Sequence, residues 1–328
     1  MKYVHAGLFA VTTTLVQIAS PAAAADLTLR LGHHVPAEHS TNREFAQVFV
    51  DLVSEKSDGA IKVQNYPAGQ LGGQRELLEG LELGTIDMSY ADIGVVANYD
   101  LALGTLDLPY VFDNMDHAYR AMEDGLLDAV QARVADAGSF QVLGMIPVAF
   151  RDTLLAEKDV KTLGDLKGIK VRTPEAPVLI DTFRALGANP TPIPSGEAYT
   201  AIQTHVVDGM EGHKEFIYTI RVPEVAKHWI ETKHNLTFNV LNISDITWNR
   251  LSEEQQATIT EAAAEAAAHF RTANAEIDNQ FREKLKAEGV TFSSPDLAPF
   301  REAVSPMIEA FVADNGADEL WSIIEETR

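Results

Sequence analysis

The sequence predicts an α/β fold in two lobes. Two series of short apolar strands alternate with amphipathic helices, one starting at residue 27 and the other near residue 141. Such alternation is typical of a largely parallel sheet covered by helices. A chain of 328 residues is long enough for two such units. An uninterrupted polar helix near the C-terminus, before Gly289, is the third observation.

Five elements are predicted in the first lobe. Strands are assigned where apolar and polar residues alternate, and helices where apolar residues recur three and four positions apart. The glycine-rich segment 67–73 is assigned to a turn. In order, the predicted elements are a strand at 27–31, a helix at 45–53, a strand at 60–66, a helix around 77–81 and a strand at 86–91.

The second series predicts a second lobe, and a long helix follows it. Its elements are strands at 141–147 and 168–173, helices at 176–186 and 195–203, and a strand ending at 206–209. Ser252 and Gln255 then fit a capping box that starts a helix running to about Ala287. About 35 helical residues span roughly 50 Å. We therefore expect this helix to cross both lobes.

The N-terminus and the composition predict an exported protein. Residues 1–25 form a leader, with Lys2, an apolar stretch and the small residues Ala23 to Ala25, which leaves Asp26 as the mature N-terminus. The apolar stretch is shorter than the roughly 20 residues that span a bilayer, so no stable membrane insertion is expected. The net charge of -22 disfavours nucleic acid as a partner. Zero cysteines exclude disulfides and thiolate sites.

No catalytic residue, metal or cofactor is predicted. The nucleophile elbow, the phosphate-binding loop, the zinc-protease motif and the dinucleotide loop are all absent. His33 and His34 are adjacent on a strand, so their side chains point to opposite faces and cannot easily share a metal ion. One of them is instead expected to face a cleft, because ligands bind at the C-terminal ends of strands in open α/β sheets.

Two arginines are the candidates for anion binding. Arg172 lies between Val171 and Thr173 in a strand suited to burial, and Arg151 follows another mostly apolar run. Each guanidinium either pairs with a structural carboxylate or presents two parallel N–H donors to a ligand carboxylate. The residues alone leave both interpretations open.

Six segments in order resemble the solute-binding proteins of TRAP (tripartite ATP-independent periplasmic) transporters. They are YPAGQLGG at 66–73, LDLPYVF at 106–112, KGIKVR at 167–172, ALGA and PTP within 185–192, EAY and AIQ within 197–203, and VDG at 207–209. The resemblance implies a two-lobed periplasmic binding protein fold with a ligand cleft between the lobes and a long helix spanning both.

The resemblance also implies a division of the chain and a set of ligand contacts. After the signal peptide, lobe I is expected to hold 26–148 and about 237–276, and lobe II to hold 149–236 and about 277–328. Arg172 would bind the ligand carboxylate, and Arg151 would add positive charge. His34 and Asp92 of the first lobe would form hydrogen bonds with hydroxyl groups of the ligand.

Two departures from the family pattern bear on the ligand. Glu211 is followed by Gly212 where the family usually has asparagine, so either His213 or Lys214 takes over that contact. Ser195 stands where many members have phenylalanine, which favours a more hydrophilic ligand.

The expected function is therefore capture of a small organic acid in the periplasm and delivery to a TRAP-type membrane permease. A hydroxylated sugar acid, an aldonate or uronate, is the main hypothesis. A C4-dicarboxylate or keto-acid binding protein is the alternative of the same class. A secreted hydrolase, which would turn its ligand over, and an adhesion module without a cleft are the alternatives of other classes.

Overall fold

The computed structural model describes residues 27–328, so the predicted signal peptide at 1–25 lies outside the described residues. Within these residues, nine strands form one sheet in the order β2-β1-β3-β8-β4-β7-β5-β6, with β9 paired to β8. The strands are β1 (Leu27–His33), β2 (Ile61–Tyr66), β3 (Met88–Asp92), β4 (Phe140–Leu155), β5 (Lys170–Thr173), β6 (Asn189–Pro192), β7 (Gly209–Gly212), β8 (His228–Ser244) and β9 (Thr291–Ser293).

Helices cover the sheet in both lobes. They are α1 (Gln47–Lys56), α2 (Gln74–Glu82), α3 (Ile93–Val96), α4 (Met115–Ala121), α5 (Leu127–Ala137), α6 (Pro177–Ala185), α7 (Ala198–Gln203), α8 (Lys214–Thr219), α9 (Asp245–Trp248), α10 (Glu253–Ala273), α11 (Ile277–Ala287), α12 (Ala298–Asp314) and α13 (Asp318–Glu326). Short 3-10 or π-helical turns occupy Thr41–Ala46, Leu101–Asp107, Met122–Leu126, Leu163–Leu166, Ser195–Glu197 and Val222–Glu224. No helix within 27–328 is long and apolar enough to cross a membrane.

Two long strands, β4 and β8, belong to both lobes. They run antiparallel, and one end of the pair joins the first lobe through β3 and β8, where Met88 lies opposite Ile243. At the other end, β4 joins the second lobe through β7, where Asp152 lies opposite Gly212. Parallel pairing occurs within each lobe, between β1 and β2 and between β5 and β6. The sheet is therefore mixed, and the predicted largely parallel sheet describes only the outer parts of each lobe.

The pairing of β4 with β8 is irregular where the two lobes meet. The register shifts between Pro147 and Phe150 and again between Arg151 and Thr153. Residues 231–234 of β8 bulge out opposite the second shift, and Lys233 has a φ of 41° there. Bulges of this kind bend a strand and increase its twist. The two register shifts therefore flank Phe150 and Arg151, at the junction of the two lobes.

The predicted long helix is wrong in one respect, because the chain forms two helices joined by a turn at 274–276. The capping box at its start is present: Ser252 N donates to Gln255 Oε1 at 3.0 Å and Gln255 N to Ser252 Oγ at 3.2 Å. α10 packs on α1 and β4, whereas α11 packs on α8 in the second lobe. Asn274 donates from Nδ2 to the Val148 carbonyl at 2.6 Å, and asparagine favours such local bonds over helix continuation.

The last helix also differs from its expected place. The division inferred from the resemblance puts about 277–328 in lobe II. Leu320 and Ile324 of α13 instead pack in the apolar core of the first lobe, with Val130 of α5 and Phe112. An amphipathic helix goes where it can bury its apolar face, so the C-terminus returns to the first lobe.

Candidate ligand-binding site

A small cavity lies where the C-terminal ends of strands from the two lobes face each other. It is lined by His34, Val35, Gln74, Asp92, Arg151, Arg172, Pro174, Ser195, His213, Phe216 and Asn239. The cavity measures about 10 Å³, room for about one water molecule. The lobes are thus close together around this cavity.

Arg172 is a buried cation without a carboxylate partner in the described part of the chain. β5 places it at the cavity, where its side chain is among the largest that are fully buried. Its Nε donates to the Ile193 carbonyl at 2.7 Å, and this is its one hydrogen bond within residues 27–328. Burial lowers the pKa of Arg172 to about 10. An isolated buried charge is costly, so the remaining guanidinium donors suit an anion supplied from outside.

Arg151, in contrast, is already neutralised. Its Nε and Nη2 donate to the two carboxylate oxygens of Glu211 at 2.5 and 2.6 Å, and Nη1 donates to Thr237 Oγ1 at 3.2 Å. Burial alone would lower the pKa of Arg151, but the Glu211 charge outweighs burial and raises it. Burial would likewise raise the pKa of Glu211, but Arg151 and a hydrogen bond from His234 lower it to about 2. Glu211 does not line the cavity; it binds the Arg151 guanidinium without itself reaching the cavity lining.

The first lobe contributes an acceptor and a neutral imidazole. His34 Nε2 lies 3.8 Å from Asp92 Oδ1, its buried Nδ1 has no hydrogen-bond partner among residues 27–328, and burial lowers the pKa of His34. Asp92 accepts hydrogen bonds from Gln74 Nε2 at 3.2 Å and from Asn239 Nδ2. His33 points away from the cavity and bonds two asparagine side chains inside the lobe. The two adjacent histidines therefore lie on opposite sides of β1.

The second lobe places Ser195 and His213 at the cavity but not Lys214. Ser195 begins the turn that follows β6. His213 precedes α8, and its Nδ1 accepts from the Phe216 amide at 3.5 Å, which leaves Nε2 as the donor. Lys214 points elsewhere, with Nζ at 3.2 Å from Asp152 Oδ2 and 3.0 Å from Asp278 Oδ1. Of the two residues predicted to replace the family asparagine, only His213 lines the cavity, and its contact with a ligand stays a prediction.

Gln74 and Asn239 are site residues that the sequence analysis missed. Gln74 is the first residue of α2, directly after the predicted glycine turn. Asn239 is an amide within the apolar strand β8, and its Oδ1 accepts from Tyr90 Oη at 2.7 Å, which directs Nδ2 toward Asp92. A polar residue inside an otherwise apolar strand was the available signal for Asn239.

A larger cavity, of about 490 Å³, lies beside the break between α10 and α11. Two of its cations are paired, Lys214 with Asp152 and Asp278, and Arg271 with Glu123 at 2.6 Å. A third cation of the lining, Lys233, forms no ion pair within residues 27–328, but three carboxylates share the lining, so an anion would be repelled there as well as attracted. Charge, and not volume, therefore identifies the small cavity at Arg172 as the candidate site. Nowhere in 27–328 do three or more His, Asp or Glu side chains form a group suited to a metal ion.

Comparison with known proteins decides the family. The family model described as bacterial extracellular solute-binding protein, family 7, matches residues 31–315. The chain is a family 7 solute-binding protein. Family 7 contains the TRAP solute-binding proteins, so the predicted resemblance is confirmed. Members of this family are solute-binding proteins of TRAP transporters.

Relatives of this family 7 protein cover nearly the whole chain. The sialic acid-binding periplasmic protein of Vibrio cholerae is 31% identical over 290 residues, 88% of this chain and 89% of the relative. A TRAP solute-binding protein of Polaromonas, bound to D-erythronate, is 28% identical with a TM-score of 0.86, covering 91% of this chain and 98% of its own. One from Sulfitobacter, with bound β-D-galacturonate, is 25% identical with a TM-score of 0.86, covering 91% and 99%. The two-lobed α/β fold is therefore confirmed.

Proposed function

We propose that this protein captures a sugar acid with a single carboxylate, an aldonate or uronate, in the periplasm and delivers it to a TRAP-type permease. The buried, unpaired guanidinium of Arg172 carries the proposal. With Nε bonded to Ile193, the free Nη1 and Nη2 donors match the two oxygens of a carboxylate, and that pairing removes the cost of an isolated buried charge.

The charges around the cavity favour one carboxylate over two. Arg151 is compensated by Glu211, which leaves Arg172 as the uncompensated cation of the cavity lining. Asp92 stands on the opposite side, and the neighbouring His34 is neutral because burial lowers its pKa. A second ligand carboxylate would face Asp92 without a free cation. This arrangement argues against a C4-dicarboxylate.

The rest of the lining suits a hydroxylated chain. Asp92 accepts hydrogen bonds, the amides of Gln74 and Asn239 both donate and accept, and Ser195 adds a hydroxyl where an apolar wall is expected. The relatives named for sialic acid, D-erythronate and β-D-galacturonate handle acids of this kind, with one carboxylate and several hydroxyls. These contacts support a sugar acid over a plain keto acid.

We further propose that ligand capture closes the two lobes about the irregular part of the sheet. The proposed boundaries fall near 148 and 236 in the shared strands and near 276 in the turn between α10 and α11, with α13 joining the first lobe. Ligand groups contacted from both sides favour the closed arrangement, so the ligand shifts the equilibrium between open and closed forms. The permease then binds the closed form of the protein.

A thermal-shift panel tests the proposal. The mature protein, unfolded and refolded to remove carried ligand, is mixed with D-galacturonate, D-glucuronate, D-galactonate, D-erythronate, succinate and 2-oxoglutarate. A ligand at 100 times its Kd stabilises the folded state by about 2.7 kcal/mol, which raises the Tm by several degrees. We expect such a rise with sugar acids and none with succinate.

Two variants and one chemical measurement complete the test. Arg172→Ala should show no shift with any acid, whereas the matched control Arg184→Ala, which loses a surface pair with Asp181 on α6, should behave as wild type. NMR of the recovered ligand should find it unchanged. A shift with succinate alone would replace the sugar-acid proposal by a dicarboxylate, and turnover of the ligand would point to the hydrolase.

A further inference from the structure

A buried carboxylate makes one of the contacts that join the two lobes outside the ligand cavity. Glu215, on α8 of the second lobe, reaches Ser40 of the first lobe and accepts from the Ser40 amide through Oε1 at 2.7 Å. The Ser40 hydroxyl donates to the other carboxylate oxygen. Both residues are buried, and neither lines the cavity. Each oxygen of one carboxylate is thus bound by a donor from one residue across the lobe boundary.

The surroundings of this contact are neutral imidazoles. His39 Nδ1 accepts from the Thr41 amide at 3.2 Å, so its N–H lies on Nε2, 3.7 Å from Glu215 Oε2. The rings of His39 and His213 meet edge to face at 5.2 Å. Burial lowers the pKa of both histidines, so neither supplies a positive charge at neutral pH. Glu215 therefore depends on the two Ser40 donors.

The contact exists only while the lobes are together. When they separate, the Glu215 carboxylate and the Ser40 donors return to water, and when they close, both oxygens lose water and gain Ser40. Burial raises the pKa of Glu215, and the Ser40 hydrogen bonds oppose that rise. Arg43 and Lys284 also oppose the rise, but neither forms an ion pair with Glu215 in the described residues.

We infer that Glu215 is a positioning residue for ligand affinity: its paired hydrogen bonds to Ser40 stabilise the closed form without touching the ligand. The inference rests on the proposed function, because the closed form is the one that holds the acid. A contact of this kind acts on the closure equilibrium alone. It raises the affinity for every ligand by the same factor and leaves the preference among ligands unchanged.

The first test is calorimetric titration of D-galacturonate and D-erythronate into four variants. Glu215→Ala should weaken both ligands by about tenfold, in line with hydrogen bonds to a charged group, and should keep the ratio of their affinities. Ser40→Ala should cost less, because the backbone amide remains. The double variant should bind no worse than Glu215→Ala, since both changes remove one contact. Glu215→Gln should recover part of the loss, because its amide both accepts and donates.

A matched control excludes a general effect of losing a carboxylate. Glu224→Ala removes a carboxylate on the same lobe, whose hydrogen-bond partners in the described part of the chain, Arg221 and Tyr199, also lie in that lobe. Its affinities should equal those of the wild type. Unchanged or tighter binding in Glu215→Ala would overturn the inference, because burying that carboxylate would then oppose closure.

A distance measurement separates this inference from the proposed function. The chain has no cysteine, so Glu79→Cys on α2 and Thr200→Cys on α7 give two spin-label positions, one on each lobe. Relative to the wild type, Glu215→Ala should shift the label distances toward longer values, both without ligand and at half saturation. If none of the acids binds the wild type, the proposed function fails. The distances measured without ligand then still show whether Glu215 stabilises the closed form. Identical distances in wild type and Glu215→Ala would overturn the role of Glu215.

Discussion

Replacing Arg172 by methionine should abolish ligand binding and yet make the ligand-free protein more stable. Burial lowers the pKa of Arg172 to about 10. From an ordinary value of ~12.5 and at about 1.4 kcal/mol for each pKa unit, the buried charge costs roughly 3 kcal/mol. Because folding lowers the pKa of this cation, the cost is fully present below pH 10 and hence at neutral pH.

The substitution also removes the hydrogen bond from Nε to Ile193, which contributes about 1 kcal/mol. Methionine fills a similar volume without charge, so the net gain is on the order of 2 kcal/mol, or about 4 °C in Tm for a chain of this size. Urea and thermal unfolding of ligand-free protein measure the gain, and calorimetry with D-galacturonate measures the loss of binding.

Arg151→Met is the matched comparison, with the same chemical change at the other cavity arginine. It leaves the buried Glu211 carboxylate without its cation, so it should lose about 3–5 kcal/mol of stability. If Arg172→Met is instead clearly less stable than the wild type, Arg172 has a structural role. Its assignment as the residue that binds the ligand carboxylate would then be wrong.

Two further outcomes are expected. Ser195→Phe should weaken D-galacturonate more than a simple hydroxy acid such as lactate in calorimetric titrations, because a ring replaces the cavity hydroxyl; an unchanged ratio would remove the specificity argument. Burial raises the pKa of Asp107 to about 7, so folding favours its protonated form and stability falls as pH rises from about 4 to about 7. Asp107→Asn keeps an oxygen that can accept the 3.0 Å hydrogen bond from Asn235. This variant should raise the unfolding free energy by up to roughly 4 kcal/mol at pH 8 and by less at pH 5. An equal gain at both pH values would contradict the assignment.

Periodicity predicted the elements that bury one face. β1 and α2 each present apolar residues at the spacing of a strand or helix with one exposed side, and both were predicted. β8 is buried on both faces from 236 to 244, so no alternation marks it, and it was missed. The strand predicted at 206–209 forms only from Gly209 onward, where β7 pairs with Leu155 of β4.

The site was predictable where one residue type carries the chemistry. Arg172 in a buried strand and His34 at a strand end were predicted, and both line the cavity. The pairing of Arg151 with Glu211 depends on how β4 and β7 lie side by side, and the residues are 60 positions apart. Lys214 is drawn away by Asp278 on α11, a contact set by helix packing. Neither of these two contacts can be predicted from the sequence around the residues that form it.

Because both lobes share β4 and β8, neither lobe is expected to fold as a separate domain. Each lobe uses part of the same two strands as the centre of its sheet, so neither lobe can be expressed alone with a complete set of paired strands. A truncated lobe would expose the backbone of a central strand and aggregate edge to edge. Unfolding should accordingly be one cooperative event for both lobes, with single-step urea curves by fluorescence and by circular dichroism.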